Sequence, residues 1–106
     1  MIKSETAQKN ADIVKICIAH GFKVRRMNSG KVWAGKRCIN LGEAGWSDIF
    51  GFHRLTGQII AVETKKEGER ITPEQKEFLD MVEKAGGIAL IAYDAESVER
   101  VLRERI

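Results

Sequence analysis

Asp48, Glu63 and Lys65 are the residues of this 106-residue chain whose types and spacing could do chemistry. Glu63-Thr64-Lys65 closes the apolar run Ile59-Ile60-Ala61-Val62. Asp48 stands fifteen residues upstream, within a second run, Trp46-Ser47-Asp48-Ile49-Phe50. Side chains alternate faces along an extended strand, so Glu63 and Lys65 project together while Thr64 projects oppositely. An acid and a base at the end of a buried strand resist desolvation as ions. Two carboxylates drawn together by strand pairing repel each other unless a divalent cation lies between them. A lysine beside them is then placed to meet an anionic substrate or an activated water. The chemistry expected of such a set is cation-assisted hydrolysis of phosphodiester bonds in nucleic acid.

The elements that would hold these residues follow from periodicity and punctuation. Ser4 to His20 reads as a helix, with Ser4 as N-cap, Ala7, Ala11, Val14, Cys17 and Ile18 at helical spacing, and Gly21 as its stop. Phe22 to Met27 alternates as a strand, Asn28-Ser29-Gly30 reads as a turn, and Lys31-Val32-Trp33-Ala34 as the returning strand. Gly35 through Gly45 is glycine-dotted and expected to be loop, with brief pairing open to Cys38-Ile39-Asn40-Leu41. Trp46 to Phe52 is strand-like, His53 to Gly57 a turn, and Gln58 to Lys65 the strand that carries the acid and the lysine. Lys66 to Arg70 reads as a charged loop. Thr72-Pro73-Glu74-Gln75 starts a helix by a threonine cap, proline at the first helical position and glutamine closing a capping box. Phe78, Leu79, Met81 and Val82 give that helix an apolar face, and Gly86-Gly87 end it. Ile88 to Tyr93 is a continuous apolar strand, expected at the centre of the sheet and parallel to Gln58–Lys65 through a helical crossover. Asp94 or Ser97 caps a last helix ending near Arg105.

Composition sets wide bounds. With 43% hydrophobic and 31% charged residues, the chain belongs with ordinary globular proteins, and residues 1–106 are expected to form one domain. Cys17 and Cys38 are too far apart for a CxxC motif and sit near apolar residues, so a reduced, buried state is expected. The first residues lack the apolar core of a signal peptide, and no run reaches membrane-spanning length. A cytoplasmic location and no membrane partner are therefore expected. A net charge of +3 is compatible with a polyanionic partner without singling one out.

Asp48, Glu63-x-Lys65 and a following helix with Gln75 in its first turn resemble the PD-(D/E)XK nuclease superfamily. More closely, the chain is similar to the VRR-NUC family of small phage and bacterial nucleases, also found as the nuclease domain of a Fanconi-anaemia-associated repair enzyme. The matching segments are Gly45-Trp46-Ser47-Asp48-Ile49, Val62-Glu63-Thr64-Lys65-Lys66 and Ile71 to Leu79, joined by Gly86-Gly87 and the Ser4-Glu5 helix start. Ser47 departs from the proline in the superfamily's name, at a position without a metal-binding role. The resemblance implies an α/β, restriction-endonuclease-like core in the order α-β-β-β-α-β-α, a mixed central sheet flanked by helices.

The resemblance also implies roles. Asp48 and Glu63 would share one or two Mg2+ or Mn2+ ions with the backbone carbonyl of Thr64, and hard oxygen donors suit such cations. Lys65 would orient the attacking water or neutralise charge on the phosphate, against the alternative of a solvated strand-end lysine. Gln75 would hydrogen-bond the nucleophilic water or position Lys65, or serve only the capping box, or do both. Glu5 matches a family position that helps hold metal, and its alternative is an acid favoured by the helix dipole. Of Arg25 and Arg26, one would face a phosphate, with Arg26 preferred because it shares a side with Val24. Lys66 is a further DNA-binding candidate or a solvated charge. His20 and His53 lack partners at metal-ligand spacing, while Trp33 and Trp46 read as core or subunit contacts. Stand-alone members of the similar family form homodimers acting on four-way DNA junctions, so the expectation is a junction-selective endonuclease leaving 5′-phosphate. The alternatives are a flap, nicking or duplex endonuclease of the same fold, or a DNA-binding module without turnover.

Overall fold

The computed structural model describes residues 5–27, 31–40 and 45–105, with residues 31–34 and 38–40 by their backbone alone. Along the chain run α1 (Glu5–Ala19), β1 (Phe22–Arg26), β2 (Lys31–Ala34), β3 (Arg37–Asn40), β4 (Ile49–His53), β5 (Ile59–Thr64), α2 (Pro73–Lys84), β6 (Ile88–Ala92) and α3 (Ala95–Glu104). Four strands form the main sheet in the order β1-β4-β5-β6, while β2 and β3 pair with each other in a separate ribbon. The contacts β1/β4 and β4/β5 are antiparallel, and β5/β6 is parallel. Counting the main-sheet strands and the helices, the order is α-β-β-β-α-β-α around a mixed sheet. The parallel β5-α2-β6 crossover is as expected.

Alternation along the central strands divides the interior in two. Ile49, Ile60 and Val62 face one side and join Ile13 and Cys17 of α1 with Val98 and Leu102 of α3. Ala61 faces the other, under Leu79 and Val82 of α2, with Phe50, Ile59 and Phe78 packed around it. Each fully buried isoleucine or valine here contributes roughly 1.5–3 kcal/mol. α1 is amphipathic through Asn10, Ile13 and Cys17, which recur at helical spacing and are buried. Cys17 is a free thiol, pushed by burial up to about 11. Two glycines permit close approaches that position the site. At Gly51 a Cβ would strike the Lys23 carbonyl oxygen, so this residue lets β1 lie against β4. At Gly45, with φ +95°, a Cβ would come within 2.7 Å of the Glu74 carbonyl oxygen, so the approach to Asp48 runs tightly past the first turn of α2.

Several local expectations need correction. β6 is an edge strand, not a central one. Its apolar run is explained by helices, since α2 and α3 both pack on it. β2 does not return along β1 but pairs with β3, Lys31 opposite Asn40 and Ala34 opposite Arg37, so the brief pairing left open to Cys38–Leu41 is found at Arg37–Asn40, within the stretch otherwise expected as loop. β4 begins at Ile49 and includes His53, leaving Trp46-Ser47-Asp48 as its approach. The Ser4 cap and the Asn28-Ser29-Gly30 turn lie outside the described residues. Among the described residues no helix is long and apolar enough to cross a membrane.

Candidate active site

The antiparallel register of β4 and β5 brings the two acids together. Its last pair is Ile49 with Val62, and one step further Asp48 stands across from Glu63. The Asp48 carbonyl also accepts the Met27 N–H at 2.7 Å, so Asp48 lies where β1, β4 and β5 meet. Its Oδ2 accepts two bonds from one residue, the Thr64 N–H at 2.9 Å and the Thr64 hydroxyl at 2.7 Å. Ser47, buried, donates its hydroxyl to the Ile49 carbonyl at 2.8 Å and so closes the bend that leads Asp48 into β4. The residue that departs from the superfamily's proline thus has a structural task.

Glu63 is only 3% exposed and Lys65 8%. The Lys65 ammonium lies 3.9 Å from Glu63 Oε1 and 3.9 Å from Glu69 Oε2. Glu63 Oε1 accepts a bond from Gln75 Nε2 at 3.1 Å, while Glu63 Oε2 is buried without a hydrogen-bond partner among the described residues. Burial first, then the neighbouring Asp48 carboxylate, push Glu63 up to about 8, with the Lys65 charge only partly opposing them. Without a cation, Glu63 therefore keeps its proton at neutral pH, as one of two acids that cannot both ionise cheaply.

Gln75 closes the capping box, and its free amide nitrogen turns to Glu63 rather than to Lys65. Its Oε1 accepts the Thr72 N–H at 2.9 Å and its N–H donates to the Thr72 hydroxyl at 3.1 Å, completing the capping box. Its Nε2 is left to hold Glu63. The helix start thereby fixes the orientation of a site carboxylate.

The remaining expected residues are placed as follows. Glu5 is exposed in the first turn of α1, and among the described residues no third acidic, histidine or cysteine side chain groups with Asp48 and Glu63. Glu5 lies one turn before Lys9, whose ammonium donates to the Lys65 carbonyl at 3.2 Å, so that helix face borders the site. Arg25 and Arg26 are both exposed. Val24 packs on the α1 side of the sheet, which makes that side Arg26's by alternation. Arg25 instead lines an open cavity of about 370 Å³ with Trp46, Phe50 and Ile59, on the side that carries Glu63. Lys66 is exposed, its N–H held by Glu69 Oε1 at 2.8 Å. His20 meets Glu99 at 3.1 Å and His53 stands edge-on to Phe22, both structural partnerships. Trp46 packs on Phe50 and Phe78, and the Trp33 side chain is outside the described residues. Sequence reasoning missed Lys9, Glu69 and the Thr64 hydroxyl. Only Lys9 carried a signal, its i+4 spacing from Glu5.

Both acids, Lys65 and Gln75 fall within residues 34–95, the segment that matches the family model of the VRR-NUC domain, more than half of the chain. The chain belongs to the VRR-NUC family. A solved structure described as a VRR_NUC domain shares the fold with TM-score 0.70 at 17% identity, covering 98% of this chain and 100% of that one. No curated protein matches the chain. Membership in VRR-NUC makes this a nuclease-type, DNA-acting protein.

Proposed function

We propose that this VRR-NUC protein is a divalent-metal-dependent endonuclease that hydrolyses DNA phosphodiester bonds and prefers four-way junctions, acting as a homodimer. The observation that carries the metal dependence is the pair Asp48 and Glu63, facing each other across β4 and β5 with one buried Glu63 oxygen that has no hydrogen-bond partner among the described residues. A buried acceptor of this kind is rare in native proteins, and hard oxygen donors fit Mg2+ or Mn2+. Asp48, Glu63 and the Thr64 carbonyl would hold the ion, with Glu5 supporting it through water from the bordering helix face. Bound there, a divalent cation supplies positive charge and Lewis-acid activation of a water.

The chain's own residues supply the rest. Gln75 orients Glu63, and Thr64 orients Asp48 through two hydrogen bonds. The Lys65 ammonium, held in a largely dry position, offsets charge that builds on the phosphate during attack. Lys66, Arg25 and Arg26 are exposed to contact neighbouring phosphates, which position DNA without reading its sequence. A twofold dimer would present two sites to a twofold-symmetric junction, and hydrolysis would leave 5′-phosphate. The buried, unpaired Cys17 suits a reducing, cytoplasmic setting.

The test is cleavage of a labelled four-way junction beside matched duplex and flap, in Mg2+, Mn2+ or chelator, by the native protein and Lys65→Ala. Paired metal-dependent cuts in the junction, lost in the variant, are expected. Cuts confined to flap or duplex would remove the junction preference and keep the nuclease. Binding without cutting would make the protein a DNA-binding module.

A further inference from the structure

The end of β6 and the residue just after it carry two large side chains left largely in solvent. Ile91 is 43% and Tyr93 49% exposed, whereas Ile88 and Ala92 of the same run are buried. Ile91 shares a sheet face with Ala89, which packs with the α2 cluster, and Tyr93 is the first residue beyond the strand. The parallel register pairs Glu63 with Ile91 and Thr64 with Ala92. Just past that register the Lys65 N–H donates to the Ala92 carbonyl at 3.0 Å, which ties Lys65 to the residue before Tyr93. Neighbouring strands lie about 4.8 Å apart, so Ile91 adjoins the site carboxylate and Tyr93 follows two residues on, next to the backbone that holds Lys65. Because β6 is the sheet edge, no further strand among the described residues covers them.

A single exposed apolar residue is ordinary at a protein surface. Position distinguishes this pair. A phosphate that meets Lys65 brings its sugar and base within one nucleotide's reach, and Ile91 and Tyr93 are the apolar surface on that flank. Exposed Lys66 adds positive charge nearby, while the next acid, Asp94, is engaged in capping α3 through Ser97.

We infer that Ile91 and Tyr93 form a wall for the nucleoside flanking the scissile phosphate, its base stacked on the Tyr93 ring. The inference rests on the nuclease reading above and deepens it. A base must leave its helical stack to reach such a wall, which branch points, flaps and single strands permit and continuous duplex resists. Selectivity for DNA structure then has a local source, apart from any dimer geometry.

The test uses DNA carrying 2-aminopurine at an unpaired position, beside continuous duplex with the same label. Each is titrated with metal-free native protein, Tyr93→Phe and Tyr93→Ala, while cleavage in Mg2+ or Mn2+ is followed in parallel. Native protein and Tyr93→Phe should quench the unpaired base, and Tyr93→Ala should bind without quenching it. On the unpaired substrate Tyr93→Ala should raise KM about tenfold, the scale of one lost base–aromatic stack, with kcat within about threefold. Equal quenching and equal KM in Tyr93→Ala would overturn the wall and leave the nuclease reading intact. A loss of dimer in Tyr93→Ala with unaltered quenching would also overturn it, assigning the pair to a subunit contact. Tyr93-dependent quenching without cleavage would keep the wall and remove the nuclease. Native protein that neither binds nor cuts DNA would overturn both.

Discussion

Glu63 concentrates the conflict between stability and chemistry in this chain. Its carboxyl is pushed from 4.5 to about 8 by burial and by Asp48. Between those values the unfolded chain has released a proton that the metal-free native state still holds. Stability therefore falls as pH rises through this window, at up to about 1.4 kcal/mol per pH unit from this group. Denaturant melts in chelator should show a less stable protein at pH 8 than at pH 5. Mg2+ or Mn2+ at pH 8 should recover stability, and Glu63→Gln should flatten the dependence while abolishing cleavage. Lys65 makes the complementary case. Lys65→Ala should lower kcat by about 10²–10³-fold, the usual effect of removing one group that stabilises transition-state charge in a dry site, measured under single-turnover conditions.

At the scale of elements, α2 is both a structural unit and the arm that aims a site carboxylate. Thr72 and Gln75 cap its start reciprocally, and Gln75 reaches Glu63 with the atom the cap does not use. Two variants separate the functions. Thr72→Ala should cost about 1 kcal/mol of stability in thermal melts, with cleavage reduced much less than by changes at Gln75. Gln75→Glu can retain the capping box but sets a third carboxylate against Glu63 and removes its donor. It should keep the melting temperature near native while lowering metal affinity or activity about 10–100-fold, as loss of a ligand-orienting contact does. Metal titration followed by cleavage rate reads the difference.

At the scale of the molecule, the site lies at one end of the sheet, where β1, β4 and β5 converge and α1 and α2 both arrive. A net charge of +3 is modest, so DNA affinity should depend on a few lysines and arginines near the site rather than on a broad basic surface. Binding should weaken with salt, with a slope of log affinity on log salt near −0.9 for each phosphate contact. Sedimentation at micromolar concentration, with and without junction, should find a dimer. Monomer under both conditions would remove the paired-cut mechanism.

Local features were legible in the residues themselves. Alternation placed Glu63 and Lys65 on one face, the Thr72-to-Gln75 signature marked the start of α2, and Asp94 marked that of α3, because each depends on neighbours within a few positions. The triplet after an apolar run likewise showed where an acid and a base would be buried. Which strand lies beside which is a different matter, since periodicity states how a strand faces and says nothing of its partner. Only the tertiary structure set Asp48 across from Glu63, paired β2 with β3, and put β6 at the sheet edge with Ile91 and Tyr93 in solvent. It also brought Lys9 to the Lys65 carbonyl, fifty-six residues away in sequence. Such contacts are decided by the packing of whole helices on the sheet, a competition among distant surfaces that no local run of residues encodes.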